Sequence, residues 1–197
     1  SLTGALEARA QGLIEPILIG PEAKIRSVAD ALDLSLQGVE IQSVAHSHAA
    51  CERAVTLCQT EVVESVMKGS LHTDELMGAL LAKDAGLRTE RRVSHVFVFD
   101  VPTYPRPLLI TDAAINIAPN LAAKRDIIQN AIELAHALQI EVPKVAILSA
   151  VETVTPTIPS TLDAAALCTM AHRGQITGGI LDGPLAFDNA VSETAAK

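Results

Sequence analysis

Short apolar blocks alternate with longer amphipathic stretches from one end of the chain to the other. Ile17, Leu18 and Ile19 form a block too short for a helix and are closed by Gly20-Pro21, so residues 16–20 are predicted to be a buried strand. The same reasoning predicts strands at 39–44, 63–67 and 144–149, and one at Ile180-Leu181 that ends on Asp182. Between them, apolar residues three and four apart predict helices over 22–32, 46–59, 73–85, 121–138, 160–172 and 186–194. Leu76, Ala79 and Leu80 share one face of the third of these, with Thr73 as its expected N-cap. Ser47, or the turn before it, is the expected cap of the second. The chain opens directly on helical text, residues 1–11.

One stretch breaks the rhythm. Residues 91–101 place Val93, His95, Phe97 and Phe99 on alternate positions, the longest strand signal in the chain. A proline-punctuated turn, 102–107, follows, and 108–111 can pair back as an antiparallel hairpin. Repeated β-α units imply right-handed crossovers, and with them an α/β fold whose sheets are mostly parallel and flanked by helices. The hairpin then marks a second domain, giving 1–88 and 89–197 as the expected division.

Composition narrows the classes. Apolar residues make up 49% of the 197 and charged residues 19%, enough to bury a core and too little charge for disorder. Aromatic residues are only 2%, so the core must be aliphatic, as in a sheet covered by helices. A net charge of -8 argues against nucleic acid, whose binding needs Lys and Arg against phosphates. No apolar run reaches membrane-spanning length and no secretory leader opens the text, so a cytoplasmic location with no membrane partner is expected. The three cysteines, Cys51, Cys58 and Cys168, have neither zinc nor disulfide spacing, and no metal site is expected.

Three polar stretches fall where α/β sheets bind ligands, beyond the carboxyl ends of strands. In the first, Lys68-Gly69-Ser70-Leu71-His72-Thr73, Gly69 lets backbone approach an anion. Ser70 and Thr73 can donate hydroxyls, the helix start adds orphan N–H groups, and Lys68 supplies a charge. The plain alternative is an ordinary helix start. In the second, Asp112 and Asn116 follow the hairpin among small residues, with Asn120 able to cap the next helix. In the third, Asp182-Gly183-Pro184 turns into a helix whose first turn holds Asp188; the two carboxylates can orient donors or take a proton, or be a turn residue and a helix-start residue. The histidines are better read as caps, helix ends and, for His95, a partnered half-buried ring. Cys168 reads as a core thiol.

These stretches resemble the phosphate acetyl/butyryltransferase family. The matching text is MKGSLHTDEL (67–76), RRVSHVFVFDVP (91–102), LLITDAAINIAPNL (108–121), PKVAILSAVETVTPTIPSTLDAAAL (143–167) and GGILDGPLAFDNAVS (178–192), five motifs in order across the chain. The likeness is to the branch fused to an enoyl-CoA hydratase. It implies an isocitrate/isopropylmalate dehydrogenase-like fold of two domains with the site in the interdomain cleft, and a homodimer formed by the second domain. It also implies direct acyl transfer between CoA and inorganic phosphate without a tightly bound cofactor, acyl-CoA itself being a substrate. On this reading Lys68, Gly69, Ser70, His72, Thr73, Asp112, Asn116 and Gly183 bind substrate or phosphate, and Asp182 and Asp188 are catalytic. Two departures stand out. The family's C-terminal segment, with a Ser-Arg pair and an Asp assigned to thiol deprotonation, is not in this text, nor is a first strand. Met77, Gly78 and Ala79 lie where many members carry an Arg. Rival readings are a non-catalytic acyl-CoA or phosphate-binding fragment and an NAD(P)-dependent hydroxyacid dehydrogenase of the same fold.

Overall fold

The structure is a computed structural model that describes residues 1–112 and 114–196. The chain divides into two compact units, Ser1–Glu90 and Arg91–Lys197. The first unit runs α1 (Leu2–Ala10), β1 (Ile17–Gly20), α2 (Glu22–Ala31), β2 (Glu40–Ser43), α3 (Ser47–Gln59) and α4 (Thr73–Leu80), then a 3-10 turn at Lys83–Ala85. β1 and β2 pair in parallel, Ile17 opposite Glu40 through Gly20 opposite Ser43. Ala29, Cys51, Leu57 and Ala85 are its most deeply buried apolar residues. Small side chains dominate because helices pack closely over a two-stranded sheet.

The second unit contains β3 (Val96–Phe99), β4 (Leu108–Thr111), α5 (Leu121–Ala137), β5 (Lys144–Leu148), α6 (Pro159–His172), β6 (Ile180–Leu185) and α7 (Phe187–Val191). β3 and β4 form the antiparallel hairpin, Phe97 opposite Ile110. β5 and β6 pair in parallel, with an irregularity between Ala146 and Leu148. Ile128, Ile132, Leu167 and Ile176 form the core where α5 and α6 meet, and Val145, Ile147 and Leu181 pack onto it from the strands. A Lys124–Asp163 ion pair of 2.6 Å links the two helices at their rim.

Several expectations need correction. Residues 63–67 form no strand: no neighbouring strand lies beside them to take up their N–H and C=O groups, and apolar character alone does not make a ladder. The signal over 91–101 shrinks to Val96–Phe99 because the preceding backbone is engaged elsewhere. The Arg92 N–H donates to the Asp126 carboxylate (3.1 Å), and the Asn130 amide donates to the Arg92 carbonyl and Ser94 Oγ (both 2.9 Å). The expected sheet pattern stands: among the described residues two of the three two-stranded sheets are parallel, and the third is the antiparallel hairpin. The helix expected over 73–85 stops at Leu80, and that over 186–194 is only five residues long. The α6 helix begins one residue early because Pro159 fits its first turn, where no N–H is needed. Among the described residues no helix is long and apolar enough to cross a membrane.

Leu167 is wholly buried and Ile132 is 1% exposed, so the α5–α6 contact is where packing has least slack. Leu167→Ala is expected to destabilise the chain by about 2–5 kcal/mol in urea unfolding. Thr161, also 0% exposed, accepts the Thr155 N–H at 2.9 Å. Thr161→Val, which keeps the shape, should cost about 1–3 kcal/mol for the donor left unpaired.

Candidate functional site

In the first unit the candidate turn leads into α4 from irregular chain rather than from a strand. His72, not Thr73, is the N-cap: its backbone is extended (φ -73°, ψ 145°) while its carbonyl accepts the Leu76 N–H. Its own N–H donates to Glu75 Oε2 at 3.3 Å, and the Ser47 hydroxyl donates to Glu75 Oε1 at 3.0 Å, so α3 braces the start of α4. Thr73 therefore occupies the first helical position, with its side chain exposed like those of Ser70 and His72. Lys68 bends back over the turn, its Nζ donating to the carbonyls of Leu71 (2.7 Å) and Gly69 (3.4 Å). A cation, two exposed hydroxyls and the N–H groups of a helix start thus lie within six residues. That set can hold an anion.

In the second unit, Asp112 and Asn116 are brought together. The Asp112 carboxylate accepts backbone N–H groups from Ala114, Ile115 and Asn116, all at 3.1 Å, and the Asn116 side-chain amide. The same amide donates to the Val93 carbonyl, tying the loop to the segment that leads into β3. Burial works to raise the Asp112 pKa, but the Asn116 amide and the three N–H groups outweigh it and hold the carboxyl below its ordinary range. Asn120 caps α5 by accepting the Ala123 N–H at 2.9 Å. Beside it Arg92, Asn116 and residues 117–120 line an open depression of about 310 Å³.

Asp182 is not at a strand end. β6 continues through Gly183 and Pro184 to Leu185, and Asp182 sits opposite Ala146, exposed, with Oδ1 accepting the Gly183 N–H at 2.9 Å. A side chain on Gly183 would lie 2.7 Å from Ile147 Cβ and 2.8 Å from the Ile147 carbonyl oxygen, so β6 can pass there only as glycine. Asp188 lies in the first turn of α7, exposed, where its Oδ1 accepts the Asn189 N–H. Among the described residues no hydrogen bond or ion pair joins the Asp112 pair to Asp182 or Asp188. Cys168, near Asp182 and Gly183, has its thiol pKa raised by burial and by the Asp182 charge, the wrong direction for a nucleophile. The His95 ring is half-buried, as expected, and meets Phe97 edge-on at 4.4 Å, while its buried Nδ1 has no hydrogen-bond partner.

Sequence reasoning passed over Glu152. It accepts the Asn189 amide and the Ala186 N–H from across the end of the sheet. Its signal is position: a lone carboxylate among hydroxyls, three residues beyond the strand predicted at 144–149.

The family model for phosphate acetyl/butaryl transferases matches residues 48–197. The chain belongs to this family. A phosphate acetyltransferase of Rhizobium meliloti is 62% identical over all 197 residues, which span 62% of that protein. A phosphate butyryltransferase of Clostridium acetobutylicum is 42% identical over 99% of the chain and 65% of its own length. Among solved structures, a branched-chain phosphotransacylase from Enterococcus faecalis V583 superposes with a TM-score of 0.75 at 28% identity, covering 91% of this chain and 71% of that one. EutD phosphotransacetylase from Staphylococcus aureus, at 19% identity and TM-score 0.75 over 99% of this chain and 68% of its own, supports the fold alone. The transferase family thus shares this α/β fold of small sheets and flanking helices, and the chain spans about three-fifths of the length of the Rhizobium relative.

The acid behaviour of the second unit follows from two carboxylates. Asp126, 9% exposed, is also held below its ordinary pKa: burial raises it, and the Arg125 side chain, the Arg92 N–H and the charges of Arg125 and Arg91 outweigh that. A carboxyl depressed on folding contributes stability that is present above its unfolded pKa, about 4, and is lost as the pH falls through its folded value. The stability gap between wild type and Asp112→Asn, or Asp126→Asn, should therefore be widest at neutral pH and close at acid pH. Urea unfolding at pH 7, 5 and 3 measures it; a gap that stays constant would show the ionised forms contribute nothing.

Proposed function

We propose that the protein carrying this chain moves a short acyl group, acetyl before butyryl, between coenzyme A and inorganic phosphate. The observation that carries this is 62% identity to a phosphate acetyltransferase across every residue of the chain, against 42% to a butyryltransferase. The same likeness favours acyl transfer over the dehydrogenase and over a binding remnant. We read the fold as the isocitrate/isopropylmalate dehydrogenase-like class, the protein as cytoplasmic and CoA as a substrate rather than a resident cofactor.

In this reading phosphate is held by Gly69, Ser70, His72 and Thr73, with the Lys68 charge folded over them, and Asp112, Asn116 and Gly183 serve substrate binding. The CoA thiol gives its proton to a carboxylate, Asp188 or Asp182, and the thiolate sulfur attacks the acyl carbon of the acyl phosphate. A tetrahedral oxyanion forms, the carbon–oxygen bond to phosphate breaks, and inorganic phosphate leaves; the reverse direction begins with phosphate oxygen on acyl-CoA. Backbone N–H groups and hydroxyls are the donor types such an oxyanion requires.

A homodimer belongs to the same reading. The apolar face of α5 is buried within the second unit, whereas Phe97, Val98 and Phe99 on the hairpin are 40–50% exposed. These three, consecutive on one strand, support the hairpin as the dimer contact. Light scattering at micromolar concentration should report twice the protomer mass.

With acetyl-CoA, thiol release should depend on added phosphate and yield acetyl phosphate, and NAD(P) should not be reduced by small hydroxyacids. Thiol release that ignores phosphate would sink the assignment. Ser70→Ala and Thr73→Val should each weaken phosphate binding roughly ten- to a hundredfold, the worth of a hydrogen bond to a charged oxygen. Because Thr73 is not the cap, its replacement should leave the thermal midpoint nearly unchanged. Calorimetry with inorganic phosphate reads the first effect and thermal unfolding the second.

A further inference from the structure

The helix α7 is five residues long, buries none of them, and begins with Phe187 half in solvent. Helices this short have little stability of their own, and packing does not supply it here. Among the described residues, the side-chain hydrogen bonds that tie α7 to another segment converge on a single carboxylate oxygen. Glu152 Oε1 accepts the side-chain amide of Asn189 at 2.6 Å and the backbone N–H of Ala186 at 3.3 Å. Ala186 is the N-cap and Asn189 follows Asp188, so one oxygen spans the turn that presents Asp188.

Glu152 can act as an anchor only if its own loop is anchored, and it is. The Ser149 N–H donates to the Leu185 carbonyl at 2.8 Å, continuing the β5–β6 ladder past the last strand residue. The Ser149 and Ser160 hydroxyls are hydrogen-bonded at 2.7 Å, which closes the loop across its base. Within it the buried Thr161 hydroxyl takes the Thr155 N–H and reaches the carbonyls of Thr155 and Ile158. The carboxylate thus projects from a loop tied at both ends to the strand-and-helix frame, at the carboxyl edge of a parallel pair.

The geometry points to Glu152 as a positioning residue for acyl transfer, orienting the Asp188 turn through Asn189 and Ala186 without touching the reacting groups. This rests on the placement of Asp188 in the site under the proposed function. Hydrogen bonds to an ionised acceptor are the stronger class, and both bonds to Glu152 converge on one atom, so its loss frees the turn at two points together.

The test is a double-mutant cycle in the full-length protein, following acetyl transfer between CoA and phosphate. Glu152→Ala should lower kcat roughly tenfold, the low end for losing a hydrogen bond to a charged acceptor. The KM for phosphate should move less than about twofold, as for a group acting only in the transition state. Glu152→Gln, whose amide oxygen can accept the same two bonds, should recover most of the loss. In an Asp188→Asn background, itself impaired, Glu152→Ala should add nothing, because its effect runs through Asp188. An equal loss in both backgrounds would mean Glu152 only supports the fold, and overturns the proposal; so does full activity of Glu152→Ala alone. If Asp188→Asn is fully active, the placement of Asp188 fails and this proposal falls with it, an outcome distinct from the other two because there Asp188→Asn is impaired.

Discussion

The second unit depends on how closely β6 runs past β5 at Gly183. Any side chain there would meet Ile147 at the Cβ and at the carbonyl oxygen, at distances below van der Waals contact. A backbone oxygen in a packed strand cannot move aside as the tip of a long side chain can. This contact keeps Leu185 opposite Leu148, which in turn brings the Leu185 carbonyl within reach of the Ser149 N–H. The loop carrying Glu152 starts from that bond. One position without a Cβ therefore sets where two strands end, and so where Asp188 and Asn189 stand.

A second constraint works on the hairpin. Asp126 on α5 is 9% exposed and would be costly there as a bare charge. It is compensated by the Arg125 guanidinium and the Arg92 N–H, and the second of these draws the backbone at 92 out of the β-ladder. Asn130, one turn further along α5, holds the next carbonyl and Ser94. The hairpin is thus short because a helix has claimed the polar groups that would have lengthened it. The Arg91–Glu133 ion pair lies along the same seam.

Much of the fold was legible because periodicity survives in isolation. α3, α5, β4 and β5 lie within a residue or so of their predicted bounds, since each has a strong apolar pattern and ends on a clear breaker or cap. The strand at 63–67 failed for the opposite reason: a strand is a relation between two segments, and Val63, Val66 and Met67 say nothing about a partner. The Arg91–Val93 extension failed because Asp126 and Asn130, more than thirty residues away, compete for its backbone. At the candidate site, residue types were readable and their groupings were not. Asp112 with Asn116 is a local pair and was visible as one. Glu152 with Asn189 is 37 residues apart in sequence, and only the closing of β6 onto β5 joins them. His72 displaced Thr73 as the cap because Glu75, braced by Ser47 from another helix, holds the His72 N–H.

Electrostatics limit how such a chain can hold an anion. With a formal charge of -8, its long-range field opposes phosphate and any other polyanion. That field is damped within about 8 Å at physiological salt, so what remains at contact is set by local donors. The turn at 68–73 offers these without relying on the whole: backbone N–H groups at a helix start are uncharged dipoles, and hydroxyls carry no charge to be neutralised. Lys68 adds one cation, but its ammonium is already shared between the Leu71 and Gly69 carbonyls, so the position of the charge is settled before any ligand arrives. Preorganised donors lose little freedom on binding, so such a turn can compete with water for an anion without help from the protein's long-range field.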